Sequence, residues 1–226
     1  RGFLWYQGES NADNPSLYAR LFPALIRDWR AKWGRGELPF LFVQLPGYGP
    51  GSTWPELRAA QTSALELPGT AMAVAIDQGD ATDIHPTRKR EVGTRLALLA
   101  LRHCYQNPRI ACDGPVVSEV LKTAPGAVTI SFANAEGLHS NQGDAIDGFE
   151  AAGKNGAFAP LPAATIDGER ILLQDVPPDA TWIRFGWASF PTAHLFNRQG
   201  LPAAPFRIPI HNLQTRPGAK IGRAHV

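Results

Sequence analysis

Ala71-Met72-Ala73-Val74-Ala75-Ile76, followed a short turn later by Asp83-Ile84-His85-Pro86, is the stretch on which the reading of this chain depends. The apolar run is bounded by Gly69 and Gly79 and reads as a buried strand. Pro86 then opens a helical pattern, Pro86 to Tyr105, carrying Leu96, Leu98, Leu99 and Leu101. Proline suits a first helical turn because it has no N–H to lose. Asp83 and His85 therefore fall on a loop at the carboxyl end of a strand, where open α/β sheets place their sites. A histidine there can act as a general base, and a neighbouring carboxylate can hold its ring and stabilise the imidazolium. The alternative is a surface turn closed by an Asx hydrogen bond.

The same grammar extends upstream. Trp54 to Leu67 reads as a helix with Leu57, Ala60 and Leu65 inside, and Leu38 to Leu45 as the continuous apolar run of a central parallel strand. Pro46 to Gly51 is a flexible loop at that strand's carboxyl end. Leu17, Leu21, Phe22, Leu25, Ile26, Trp29 and Trp33 recur at helical spacing, with Asn14-Pro15 as cap and first residue and Gly34 as the stop. Gly2 to Tyr6 is a short strand, followed at once by Gln7-Gly8-Glu9-Ser10-Asn11. Polar side chains directly after a buried strand are costly without partners, and a Gln or Asn amide is a good donor to a developing oxyanion. A capped turn is the competing reading. Strand and helix alternate three times, as in half of a doubly wound parallel sheet.

Downstream the pattern changes. Val116–Val120, Ala127–Phe132, Gly148–Ala152, Arg170–Leu173 and Trp182–Trp187 read as short strands separated by Gly, Pro, Asn and Asp turns, a β-rich and sandwich-like module. Alternation places part of its aromatic set, Phe149, Trp182, Phe185 and Trp187, in a core.

Composition narrows the class of function. The 226 residues carry a formal net charge of +2, and 19% are charged, so no basic surface for nucleic acid is indicated. No apolar run is long enough to cross a membrane. Cys104 and Cys112 are too few for a disulfide framework. They read as free buried thiols, with one short-loop disulfide the alternative for an exported protein, and without ligand partners at metal spacing. The expectation is no metal and no cofactor.

Taken together, Trp5-Tyr6-Gln7-Gly8-Glu9-Ser10-Asn11, Asp28-Trp29-Arg30, Leu38-Pro39-Phe40, Trp54-Pro55-x-Leu57-Arg58, Met72 to Asp77 and Asp83-Ile84-His85-Pro86 resemble the sialate O-acetylesterase family, carbohydrate esterases of the SGNH-hydrolase type. The resemblance continues through Glu91-Val92-Gly93-x-Arg95, Gly148-Phe149-Glu150, Gly186-Trp187-Ala188 and Gly200 to Phe206, in order. It implies a three-layer, flavodoxin-like α/β hydrolase with a serine nucleophile. It also implies an O-acetylated glycan as substrate, sialic acid or xylan-type, and a periplasmic or extracellular setting.

By that resemblance His85 is the general base, Asp83 its orienting acid and Gln7 an oxyanion donor, with Glu9 and Asn11 in support. One residue separates Asp83 from His85 where the family generally has two, so Asp80 stays a second candidate for the acid. The family's early serine block has no counterpart here, and Ser10 lies in the oxyanion block. The expectation is a carboxyl-terminal fragment with its sheet incomplete on the amino-terminal side. Residues 1–112 would form the partial hydrolase domain, 113–213 the β-rich module and 214–226 a disordered or artefactual tail. The tail ends Ile221-Gly222-Arg223-Ala224-His225-Val226, the translation of a common sequencing-adapter DNA. A glycan-binding protein using the β module is the rival function. Oligomeric state is not legible in the sequence.

Overall fold

The computed structural model describes residues 1–49 and 53–212. The tail expected at 214–226 and part of the Pro46–Gly51 loop lie outside the described residues. Contacts divide the chain into two units: Arg1–Asp113 together with Ala188–Phe190, and Gly114–Trp187 together with the chain from Pro191 onward.

The first unit runs β1 (Phe3–Trp5), α1 (Pro15–Trp33), β2 (Phe40–Gln44), α2 (Trp54–Thr62), β3 (Thr70–Val74) and α3 (Lys89–His103). The three strands are parallel and lie in the order β1-β2-β3, with Trp5 beside Phe42 and Gln44 beside Val74. Every residue of β2 is buried, and its alternation assigns the helices to faces. Phe40 and Phe42 pack with Tyr18, Phe22 and Ile26 of α1 and Trp54 and Leu57 of α2. Leu41 joins Leu99 of α3, and Val43 joins Val92 of α3. Two successive crossovers of one hand put α1 and α2 on one face. α3, leaving β3, covers the other.

α1 has the expected ends. The Asn14 side chain accepts the Leu17 N–H at 3.1 Å, and Gly34 takes the left-handed conformation that closes the helix. Other boundaries differ from expectation. The helix expected over Trp54 to Leu67 ends at Thr62, and Ser63–Glu66 tighten into a 3-10 turn. β3 ends at Val74, and Ile76–Gln78 tighten into a 3-10 turn, because Asp77 turns toward Arg95 of α3. α3 begins at Lys89 rather than Pro86. Asp83 and Thr87 form local turns there, the first accepting the His85 N–H and the second the Lys89 N–H, and these replace the first helical turn.

The second unit is all strands and turns among the described residues. A six-stranded sheet runs, in spatial order, His211–Asn212, Val116–Ala124, Ala127–Ala133, Arg170–Leu173, Ala164–Asp167, Ala145–Ile146. A four-stranded sheet runs Phe206–Pro209, Trp182–Phe185, Phe149–Ala152, Phe158–Pro160. One apolar cluster draws on both, including Val128, Ile130 and Ile171 from the first and Phe149, Ile183, Phe185 and Phe206 from the second. The Phe149 and Phe185 rings stand 4.5 Å apart inside it, so they serve the core.

Candidate active site

Three loops leave the carboxyl ends of β1, β2 and β3. Tyr6, Tyr48 and Ile84, one from each loop, pack against the same cluster around Phe42, Trp54 and Leu57. The α3 residue Lys89 adds a link, with its Nζ 4.8 Å from the centre of the Tyr6 ring. The polar candidates flank these anchors.

After β1 the chain enters a 3-10 turn, Glu9–Asn11. The half-buried Gln7 is held from both ends. Its Nε2 donates to Asn11 Oδ1 at 2.7 Å, and its Oε1 accepts from the Tyr18 hydroxyl at 3.3 Å. These two contacts hold the amide in place from both ends. Its main-chain carbonyl accepts from Tyr18 at 3.2 Å and from Gln61 Nε2 at 3.0 Å. Burial raises the Tyr18 phenol, which keeps it a donor. Burial, then the charge of Glu9, pushes Tyr6 up to about 12. Glu9 lies in the turn itself, half-buried, and Ser10 is exposed beside it.

The loop after β3 begins with a buried ion pair. Arg95 of α3 grips Asp77 through two bonds, Nη1–Oδ1 at 2.6 Å and Nη2–Oδ2 at 2.7 Å, and also donates to the Val74 carbonyl at 2.6 Å. Further along, Asp80 Oδ1 accepts from the Thr82 N–H at 2.7 Å, the Thr82 hydroxyl at 2.8 Å and the Asp83 N–H at 3.1 Å. Those donors hold the Asp80 carboxyl below its ordinary range, the Thr82 N–H contributing most. Asp83 Oδ1 accepts the His85 N–H at 2.8 Å and lies 3.4 Å from His85 Nδ1. The His85 side chain is 87% exposed. The Asx turn and the acid–imidazole pairing are thus one structure: the turn brings the carboxylate under the ring.

The geometry distinguishes the two acids. Asp83 stands beside the imidazole, whereas the bonds of Asp80 go to Thr82 and to the main chain of Asp83. Gln7 and Asn11 are joined, as are Asp83 and His85. Among the described residues no hydrogen bond links Gln7 to Asp83 or His85. Both cysteines are free thiols. Cys112 is pushed up to about 12 by burial and then by Asp113, which leaves little thiolate for nucleophilic use. No group of three or more metal-ligating side chains occurs among the described residues. No helix among them is long and apolar enough to cross a membrane.

A family model described as carbohydrate esterase, sialic acid-specific acetylesterase, matches residues 1–102, the stretch that holds every residue of this site. That stretch is similar to the sialic acid-specific acetylesterase family of carbohydrate esterases. A carbohydrate acetylesterase from Xanthomonas citri has a similar structure, with a TM-score of 0.82 and 40% identity over 91% of this chain and 49% of its own. The sialate O-acetylesterase of Mus musculus is 29% identical over 91% of this chain and 44% of its own length, and that of Homo sapiens 28% over 91% and 45%. The chain therefore spans about half the length of the acetylesterases it matches.

Arg58 is buried in α2, and Gln61, Tyr18 and Arg95 hydrogen-bond to the ends of β1 and β3 or the loops after them; none of the four was singled out as a site residue from the sequence. A signal was present for the first two. Arg58 and Gln61 lie four and seven residues after Trp54, on the stripe that Leu57 marks as the buried face of α2. Polar groups on a buried stripe must have partners inside.

Proposed function

We propose that this chain carries the base, its orienting acid and an oxyanion donor of a serine-type carbohydrate acetylesterase, which removes O-acetyl groups from sialic acid or a related acetylated glycan. The observation that carries the reading is the Asp83 carboxylate at 3.4 Å from His85 Nδ1, on the loop after β3 of a parallel sheet. With Nδ1 facing a carboxylate, Nε2 is the basic nitrogen in this reading. The nucleophilic serine is proposed to come from sequence outside these 226 residues, on a strand that extends the three-layer sheet. The half-length coverage of the relatives supports this.

In the proposed reaction the serine hydroxyl attacks the acetyl carbonyl carbon while His85 Nε2 takes its proton. Asp83 stabilises the imidazolium. Gln7 contributes the Nε2 hydrogen that Asn11 does not hold, together with main-chain N–H groups, to the oxyanion. His85 returns the proton to the sugar oxygen, then activates the water that releases acetate. Residues 1–112 form the partial hydrolase domain in this reading, and residues 113–213 the β module. A glycan substrate of this kind would place the enzyme in the periplasm or outside the cell.

The test is hydrolysis of an activated acetyl ester and of O-acetylated sialic acid by the intact protein. Gln7→Ala should lower turnover by roughly a hundred- to a thousandfold with little change in KM, because the ground-state carbonyl carries less charge than the oxyanion. Unchanged turnover would remove Gln7 from the oxyanion site. Residues 1–226 alone should show only background hydrolysis. Robust activity of that chain, abolished by Ser10→Ala, would overturn the assignment of the nucleophile.

A further inference from the structure

The α/β unit buries a cation that the proposed chemistry does not use. Arg58 of α2 is fully buried. Burial lowers its guanidinium to about 9, against the pull of Glu56. Its guanidinium bonds to the main chain: Nη2 donates to the Ala188 carbonyl and Nη1 to the Ser189 carbonyl, the latter at 3.3 Å. Taking a guanidinium out of water costs several kcal/mol, and an apolar residue of similar volume would fill the space without that cost. What arginine adds is a rigid fork that fixes two adjacent carbonyls at once.

The segment it fixes lies on the loops of the site. The Ser189 carbonyl also accepts the Tyr48 N–H at 3.0 Å. Tyr48 forms a parallel bridge with Asp80, so the loop after β2 is paired, main chain to main chain, with the loop after β3. The approach is so close that a Cβ on Gly79 would collide with the Gly47 carbonyl, and one on Gly49 with the Ala81 carbonyl. Asp80 in turn accepts the Thr82 and Asp83 N–H groups, and Asp83 accepts that of His85. A continuous set of polar contacts thus runs from α2 to the imidazole.

We infer that Arg58 is a positioning residue: by clamping Ala188–Ser189 onto Tyr48 it holds the Asp80–His85 loop in the conformation that pairs Asp83 with His85. The inference rests on the acetylesterase reading for its kinetic consequence and on geometry alone for its structural one.

Two measurements separate them. Hydrogen–deuterium exchange on Arg58→Ala in residues 1–226 should show the Thr82, Asp83 and His85 amides exchanging at least about tenfold faster, while the amides of β2 and α1 keep their protection. In the intact protein the same variant should lose roughly ten- to a hundredfold in kcat with KM nearly unchanged, and ethylguanidinium should restore much of it. Should Arg58→Ala fail to fold, Arg58→Lys takes its place. It keeps a charge on a similar stem but only a single point donor, and should show the same local exchange at smaller size. Unaltered exchange at residues 82–85 in a folded variant overturns the inference. So does a rise spread evenly over β2 and α1, which would mark loss of global stability only. Faster local exchange in a protein whose wild type hydrolyses no acetyl ester would uphold the clamp and sink the acetylesterase reading.

Discussion

The loop that follows β3 supplies a carboxylate to each of two acid–base pairs, and they are built in opposite ways. At its start Asp77 and Arg95 are each 9% exposed and joined by two bonds under 2.8 Å. At its far end Asp83 and His85 are 60% and 87% exposed, joined by one oxygen at 3.4 Å. A buried pair resists removal of either partner because the other is left as an uncompensated charge. An exposed pair is worth at most about 1 kcal/mol and yields to a change of proton or substrate. The first pair anchors the loop; the second is the one to which the proposed reaction gives the proton transfer. In that reading stability and reactivity fall to different residues.

The sharpest way to break this comparison is His85→Ala in the intact protein. Acylation should fall by about four orders of magnitude, because triad members act as a unit. The melting temperature should barely move, since an exposed side chain away from caps and cores is normally worth no more than about 0.5 kcal/mol. An unchanged acylation rate would remove His85 from catalysis. A large drop in melting temperature would contradict its exposure.

Arg95→Met should do the reverse. It leaves Asp77 buried without its partner, at a cost of about 3–5 kcal/mol, read as a fall in the denaturant midpoint. Asp77→Leu combined with Arg95→Met should recover much of the loss, because the desolvation penalty goes with the charge. If the single and double variants are equally unstable, the pair is not the anchor.

What the sequence made legible follows the same division. Elements defined by repeated local signals were readable: α1 from its apolar stripe with Asn14 and Gly34 at its ends, and β2 from its unbroken apolar run. The turn at Asp83–His85 was readable as one of two alternatives, and Asp80 stayed open beside Asp83 as the carboxylate near the imidazole, because hydrogen bonds within so short a loop leave no periodic signal. What escaped depends on partners far along the chain. The end of β3 is set by Arg95 on α3, and the burial of Arg58 by Ala188 and Ser189, some 130 residues away. Two-residue strands such as Ala145–Ile146 and His139–Ser140 are too short to carry a period. Pro86 misled because a proline that suits a first helical turn also suits the turn that precedes one.

The next effect concerns which carboxylate serves the imidazole. Asp83→Asn should lower turnover in the intact protein by more than a hundredfold, since an amide at Nδ1 no longer stabilises the imidazolium. Fold stability should change by less than about 1 kcal/mol. Asp80→Asn should cost far less turnover, because an amide oxygen can still accept the Thr82 and Asp83 N–H groups. If instead Asp80→Asn cripples the enzyme and Asp83→Asn is silent, the acid is Asp80.

The smallest effect is the pH dependence of the loop, and its sign is fixed by Asp80. Three donors converge on its Oδ1, and they hold the carboxyl below its ordinary value of 3.8. A depressed pKa means that the folded loop binds a proton less readily than the unfolded chain does. The stabilisation is therefore present in full above pH 3.8 and is lost as pH falls through the lower, folded value. Because the carboxylate is solvent-exposed, the consequence is local: the Thr82 and Asp83 amides should lose exchange protection in that acid window before β2 does. Asp80→Asn, which has no proton to gain, should abolish the acid-dependent step while leaving protection at neutral pH nearly intact. Retention of the step in Asp80→Asn would assign it to another carboxylate, with Asp83, the acceptor of the His85 N–H, the next to examine.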